Sequence, residues 1–130
     1  MTRYLLDTDT LIDFSKGREP VVSLIKQWIT NGDIVGICPI NITEFYSGLP
    51  KLERKTWNDF FESLTCWDIT RNAARIAGEV RYELKIEGKI ITTTDALISA
   101  VATEQKALIV TSNVDDYPLD KHQVLSPREK

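Results

Sequence analysis

The chain has 130 residues, of which 42% are hydrophobic and 27% are charged. This length is enough for one domain with a single core, and the composition excludes a wholly disordered protein. The formal net charge of −3 excludes a protein that coats nucleic acid simply by being basic. It does not exclude nucleic-acid chemistry, because clustered metal-binding acids also lower the net charge of an enzyme.

Short apolar strands alternate with amphipathic helices along the chain. Strands are predicted over residues 4–6, 34–38, 66–69, 107–110 and 123–125. Helices are predicted over residues 10–16, 20–29, 40–46, 54–64, 70–86 and 95–101. The tail from Ser126 onward is expected to be loose. This alternation predicts an α/β fold, in which a parallel sheet carries helices on both faces.

The cellular compartment is suggested by what the chain lacks. No apolar segment approaches the ~20 residues that span a membrane, and the apolar run before Asp7 is too short for a signal peptide. We therefore expect a cytoplasmic protein. Cys38 and Cys66 have no metal-binding spacing, and both are expected to be buried, reduced thiols. His122 is the only histidine, which excludes a two-histidine ribonuclease mechanism, and we expect it at the surface.

Acidic residues recur where the predicted strands end and helices begin. Asp7 follows the first strand directly, and Asp115 and its neighbours follow the fourth. Glu44 and Asp95 lie on helices that begin near the same edge. Sites in open parallel sheets form outside the carboxyl ends of the strands, so these side chains are predicted to meet there. Converging carboxylates repel one another unless a hard divalent cation neutralises them, and such an ion activates water to attack phosphodiesters.

Four segments resemble, in order, the acidic motifs of PIN-domain proteins of the VapC toxin type. They are residues 5–13 (LLDTDTLID), 40–48 (INITEFYSG), 94–102 (TDALISAVA) and 108–117 (LIVTSNVDDY). Each segment is weak by itself, but four in the family's order over nearly the whole chain are specific. The resemblance implies a single domain over residues 1–130. It also implies a three-layer α/β/α fold with a short central parallel sheet of about four to five strands.

The same resemblance implies an endoribonuclease that depends on Mg²⁺ or Mn²⁺ and acts as the toxin of a toxin–antitoxin pair. Asp7, Glu44 and Asp95 would hold one or two ions. Asp9 would lie at the rim of the site, and Thr111 would orient a carboxylate by hydrogen bonding. The implied partners are an RNA substrate, a small antitoxin protein as inhibitor and a second copy of the chain in a homodimer.

The fourth acid of the site is ambiguous. Many relatives carry an acid at the position of Asn113, which is neutral. Residues 113 and 115 share a side of an extended segment, so Asp115 is predicted to complete the catalytic and metal-binding set. Asp116 is the second candidate, because an acid followed by an aromatic residue also occurs in relatives at that point.

Two other functions remain open. Asp7 and Asp9 approximate the nucleophile motif of haloacid-dehalogenase-type phosphatases, in which Asp7 would form an aspartyl-phosphate. Glu44 and Asp95 would then have no role. The other alternative is a PIN-like binding module without activity, which only the neutral Asn113 favours. Taken singly, each acid could also be a helix cap or a solvated residue, and Asp13 is expected on such a solvated face.

No RNA-binding track is evident from the positions of the basic residues. The candidates for phosphate binding are Arg3, Lys16, Arg18, Arg71, Arg75, Lys85 and Lys89. They form no arginine-rich stripe with interleaved aromatics, so each is more simply read as ordinary surface charge.

Overall fold

A parallel sheet of five short strands forms the centre of the fold, in a computed structural model that describes residues 1–120 and 123–128. The strands are β1 (Arg3–Leu6), β2 (Ile34–Ile37), β3 (Thr65–Cys66), β4 (Leu108–Val110) and β5 (Val124–Leu125). They lie in the order β3-β2-β1-β4-β5, and each neighbouring pair is parallel. The predicted parallel sheet is confirmed.

In the part of the chain that the structure describes, six α-helices cover both faces of this sheet. They are α1 (Thr8–Ser15), α2 (Val21–Thr30), α3 (Pro39–Ser47), α4 (Arg54–Ser63), α5 (Arg71–Ile86) and α6 (Thr93–Gln105). Successive residues of a strand point to opposite faces. Leu5 and Ile109 therefore pack against α5 and α6. Leu6 and Val110 pack against the apolar sides of α1 to α4. The three-layer α/β/α architecture is confirmed.

The third strand differs from its prediction. Strand β3 spans only Thr65 and Cys66, although the Trp67 N–H still donates to the Ile37 carbonyl of β2 at 2.8 Å. The Trp67 ring lies over Gly36 of β2, where an added Cβ would come within 2.5 Å of Cζ3 of the ring. Because β3 is a two-residue edge strand, Cys66 is exposed, and its predicted burial is wrong. Cys38 is buried, as predicted.

Asp13 is buried, so the prediction of a solvated face is wrong. Its carboxylate accepts hydrogen bonds from Arg18 Nη1 at 2.9 Å and from Arg128 Nη2 at 2.7 Å. Burial by itself raises the pKa of Asp13, but the bonds and charges of the two arginines outweigh burial and lower the pKa below its ordinary value. The Arg128 contact also holds the segment after Ser126 against Asp13, so the expected looseness from Ser126 is wrong as far as Arg128. His122 lies outside the described residues.

The strand order places a cleft at the carboxyl ends of β1 and β4. From β1 the chain moves outward through β2 to β3, and it then returns to β4 on the other side of β1. Connections leave in opposite directions at this point, which is where open α/β sheets form their ligand sites. Within residues 1–120 and 123–128, no helix has the length and apolar character needed to cross a bilayer.

Candidate active site

Asp7 is a buried acid directly after β1, at the carboxyl edge of the sheet. Its backbone N–H donates to the Val110 carbonyl at 2.9 Å, so the link between β1 and β4 continues one residue beyond the strands. Its side chain caps α1 by accepting from the Thr8 N–H at 2.8 Å. Asp7 is only 9% exposed. Burial, with a contribution from the negative charge of Asp9, raises its pKa from 3.8 to about 6, although the Thr8 bond opposes the shift.

Tyr117 joins Asp7 to Asp95. Its hydroxyl lies 3.1 Å from Oδ2 of Asp7 and 3.3 Å from Oδ1 of Asp95. The ring is 3% exposed, and burial and the two carboxylates raise the pKa of the hydroxyl well above its ordinary value. A tyrosine hydroxyl has one proton, so it can donate to only one of the two carboxylates at a time. The two acids therefore share one donor in a buried site.

Glu44 reaches the cleft from α3 through contacts with α1. Its Oε1 accepts from the Thr8 hydroxyl at 2.7 Å. Asn41, one turn earlier on α3, donates from Nδ2 to the same hydroxyl at 3.4 Å. The side-chain Oδ1 of Asn41 also accepts from the Cys38 N–H at 2.9 Å, which caps the start of α3. Asn41 and Thr8 thus set the position of the Glu44 carboxylate.

Asp9 is the most fully hydrogen-bonded acid of the cleft. It accepts from the backbone N–H groups of Thr10 and Ser112, each at 2.8 Å. The Thr111 hydroxyl lies 3.3 Å from Oδ1, so the carboxylate that it contacts is that of Asp9. Asn113 Nδ2 donates to Oδ2 at 3.3 Å. The amide at position 113 therefore supplies a donor that an acid at that position could not supply when ionised.

The segment after β4 is helical, and the expected extended conformation is wrong. Residues Val114–Asp116 form one turn of 3₁₀ helix, in which side chains three positions apart are eclipsed. Asn113 therefore shares a side with Asp116, and the argument that residues 113 and 115 share a side fails. Asp115 lines a hollow beside Tyr117, Val124 and Ser126.

Asp95 has a raised pKa, to which two other acids of the cleft contribute. It lies in the first turn of α6, and its N–H donates to the Thr92 hydroxyl at 3.1 Å. Burial is the largest cause of its raised pKa, and the negative charges of Asp116 and Glu44 add to it. The cleft therefore brings together Asp7, Asp9, Glu44, Asp95 and Asp116. It does not bring Asp115 into this set.

The donor chemistry of the cleft fits a hard divalent cation. Carboxylate oxygens are the ligands that Mg²⁺ and Mn²⁺ prefer. Burial is the main cause of the raised pKa values of Asp7 and Asp95, and neighbouring carboxylates, whose negative charge a cation would offset, contribute less. Within the described residues, no three acidic, cysteine or histidine side chains converge closely enough to hold an ion as they stand. The hydroxyls of Tyr117 and Thr8 lie at the carboxylates instead, so ion binding requires side-chain rotation.

Replacing Tyr117 by phenylalanine is expected to destabilise the metal-free protein. The substitution keeps the ring but removes the donor shared by Asp7 and Asp95, which should cost about 1–3 kcal/mol. Added Mn²⁺ should offset much of this loss, because the ion neutralises the same carboxylates. Thermal unfolding with EDTA and with Mn²⁺ measures both effects. Tyr82→Phe, on an exposed ring, is the control. Equal melting temperatures of the Tyr117→Phe variant and the parent in EDTA would contradict the bridging role.

Three uncharged side chains of the site were not predicted from the sequence. Tyr117, Thr8 and Asn41 each contact a predicted acid, but none has a charge pattern that would single it out. The only available signal for Tyr117 was its position directly after the Asp115-Asp116 pair. For Thr8 it was the position between two acids.

Comparisons with known proteins agree with this architecture. The PIN domain family matches residues 4–121. Ribonuclease VapC2 from Haemophilus influenzae is 28% identical over 122 residues, covering 90% of this chain and 91% of the relative. Ribonuclease VapC19 from Mycobacterium tuberculosis is 26% identical over 115 residues, covering 88% and 92%.

Solved structures show the same fold. The VapBC2 structure from Rickettsia felis, bound to a DNA fragment from its promoter, superposes with a TM-score of 0.83 at 22% identity, covering 96% of this chain and 98% of that chain. A toxin–antitoxin complex from Klebsiella pneumoniae superposes with a TM-score of 0.79 at 23% identity, covering 98% and 99%.

The fold and cleft define an α/β domain with an acidic site at the carboxyl edge of its sheet. The family match spans most of the chain, and the chain therefore belongs to the PIN-domain family. The predicted family resemblance is confirmed. The haloacid-dehalogenase interpretation is left without support, and the two oxygens of Asp7 already accept bonds from Thr8 and Tyr117.

Proposed function

We propose that this protein is a metal-dependent endoribonuclease and the toxin of a toxin–antitoxin pair, acting in the cytoplasm as a single domain over residues 1–130. The observation that carries the proposal is the meeting of acids from three elements in one cleft: Asp7, Glu44 and Asp95. The ribonuclease names of the curated relatives support RNA as the substrate.

In the proposed site, Asp7, Glu44, Asp95 and a fourth acid hold one or two Mg²⁺ or Mn²⁺ ions. An ion held there would lower the pKa of a bound water and would offset the negative charge of the phosphate. Asp116 is the fourth acid that the geometry favours, because its charge acts on Asp95. Asp115 remains the alternative predicted from the sequence.

The remaining residues of the cleft position these acids. Thr8 and Asn41 orient Glu44, and the bonds that Asp9 accepts lock the turn after β4 against the start of α1. With its pKa near 6, Asp7 is mostly ionised at pH 7 to 8 and is available as a ligand. No side chain needs to act as a nucleophile in this scheme.

The proposed partners follow from the relatives. Solved structures of the same fold are toxin–antitoxin complexes, which supports a small antitoxin protein as inhibitor. The homodimer is proposed on the family resemblance, and light scattering of the purified protein tests it. A monomer at high concentration would refute the dimer.

The direct test is cleavage of total cellular RNA by the purified protein. With Mg²⁺ or Mn²⁺ we expect discrete fragments, and with EDTA we expect none, because the carboxylates by themselves activate no water. Cleavage that persists in EDTA would refute metal dependence. Absence of cleavage with either metal, together with no thermal stabilisation by Mn²⁺, would favour the inactive PIN-like module, because a ligand that binds the native state must stabilise it.

A further inference from the structure

Helices α5 and α6 are antiparallel, which places the C-terminal half of α5 at the active-site edge. At one end of the pair, the Thr70 hydroxyl before α5 donates to the Glu104 carboxylate near the end of α6. At the other end, Arg81 Nε donates to the Ile91 carbonyl at 3.2 Å, just before α6 begins. Asp95 is four positions after Ile91 in the chain, so their Cα atoms are at most about 14 Å apart.

A groove opens beside this end of α5. Its volume is about 450 Å³, within the range of about 300–1,000 Å³ that ligand sites occupy. Gly78 contributes no side chain, and a Cβ added there would meet open space. We call this hollow the α5 groove, and it is lined by Gly78, Arg81, Tyr82, Lys85, Lys89 and Ile90.

The α5 groove collects positive charge on a chain whose net charge is −3. Arg81 and Lys85 are four positions apart on α5, so they lie on the same side of the helix. Lys89 follows in the next loop and is paired only loosely with exposed Glu87, at 3.8 Å. The Arg81 guanidinium is held in place by its hydrogen bond to the Ile91 carbonyl. A guanidinium carries five N–H donors, which suit phosphate oxygens. The charge of the groove thus complements a phosphate backbone.

Apolar and aromatic surface accompanies these cations. Tyr82 is 68% exposed and Ile90 is 89% exposed. An exposed aromatic ring beside cations is the arrangement by which proteins stack unpaired RNA bases while they hold the backbone. A protein partner fits less well, because lysines are depleted from the cores of protein interfaces.

We propose that the α5 groove binds a single-stranded segment of the RNA substrate beside the cleavage site. Arg81, Lys85 and Lys89 hold phosphates, and Tyr82 stacks on a base. The groove then leads the RNA strand past Ile91 toward Asp95 on α6. This proposal rests on the proposed ribonuclease function, and it assigns the part of the surface that receives the substrate.

The test measures RNA binding separately from cleavage. The probe is a fluorescent, unstructured RNA oligonucleotide of about 16 nucleotides in EDTA, titrated at several salt concentrations. For Lys85→Gln/Lys89→Gln we expect weaker binding and a salt slope shallower by about 1.4, since each single-strand phosphate contact contributes about 0.7. For Tyr82→Ala we expect binding weaker by about fivefold or more, with an unchanged salt slope.

The matched control is Lys26→Gln/Lys55→Gln, which removes the same charge from exposed positions on α2 and α4, across the sheet. This control should bind RNA and respond to salt as the parent does. If the groove variants bind RNA with the affinity and salt slope of the parent, and the parent cleaves RNA, the α5 groove is not the RNA-binding surface. The ribonuclease function is then unaffected. A parent that neither binds nor cleaves RNA would overturn both. Loss of a dimer by Tyr82→Ala in light scattering, with RNA affinity unchanged, would assign the groove to subunit contact and overturn the proposal.

Discussion

Asp7→Asn is expected to abolish RNA cleavage while leaving the fold intact. Asparagine keeps the size of the side chain and can still accept from the Thr8 N–H, so α1 remains capped. It removes one of the proposed ligands, and the loss should exceed the roughly 10- to 100-fold that changes around a metal site typically cost. Single-turnover cleavage of a fixed RNA with Mn²⁺ measures the loss, and circular dichroism checks the fold.

The same substitution should stabilise the metal-free protein at neutral pH. The pKa of Asp7 is raised from 3.8 to about 6, so the ionised carboxylate opposes folding. Below about pH 4 the acid is protonated in both states, and the variant has no advantage. As the pH rises through 4 to 6, the parent loses stability and the variant does not. Above pH 6 the difference should reach about 1–3 kcal/mol, and urea unfolding in EDTA at pH 4 and pH 8 measures it.

Asp59→Asn is the matched control for both effects. Asp59 is an exposed acid on α4, and its partner Lys55 lies 3.9 Å away. This control should retain cleavage, and its stability should stay within about 0.5 kcal/mol of the parent at either pH. An Asp7→Asn protein that cleaves RNA as the parent does would remove Asp7 from the site. If Asp7→Asn is instead less stable than the parent at pH 8 in EDTA, the ionised Asp7 carboxylate does not oppose folding.

Asp116→Asn is expected to impair cleavage far more than Asp115→Asn. In the 3₁₀ turn Asp116 shares a side with Asn113, and its charge acts on Asp95, whereas Asp115 lines the hollow beside Val124 and Ser126. We expect a loss of at least about tenfold for Asp116→Asn, with more Mn²⁺ needed for half-maximal activity. Asp115→Asn should match the parent. Manganese titrations of single-turnover cleavage compare the two variants.

Each of these variants controls for the other, because they remove the same charge at neighbouring exposed positions. If Asp115→Asn loses more cleavage activity than Asp116→Asn, Asp115 is the fourth ligand. The 3₁₀ turn would then have indicated the wrong acid. Equal and severe losses would mean that both acids contribute.

The fold class could be predicted from the sequence because it follows from local patterns. Buried strands of a parallel sheet are short apolar runs, and the alternation of such runs with amphipathic helices leaves few arrangements. Strand ends at the edge of the sheet were less predictable. Residues 66–69 are apolar enough for a strand, but β3 pairs with β2 only at Thr65 and Cys66, because β2 itself ends at Ile37.

The burial of charged residues depended on partners that are distant in sequence. Asp13 looks like a solvated helix residue when only its neighbours on α1 are considered. Its second partner, Arg128, is 115 residues away, and only the folded chain brings the two together. For the same reason the sequence could not show that the tail is held as far as Arg128.

By itself, the sequence determined the sheet, its helices and the edge at which Asp7, Glu44 and Asp95 meet. These follow from hydrophobic periodicity and from the rule that parallel strands end at a common edge. Only the tertiary structure decided how the acids are linked. Tyr117 lies 110 residues from Asp7, and the two are joined by a single hydroxyl proton. The choice between Asp115 and Asp116 likewise depended on the 3₁₀ turn. In such a turn the side chain that shares a side with Asn113 is three positions later, at Asp116, whereas in a strand it would be two positions later, at Asp115.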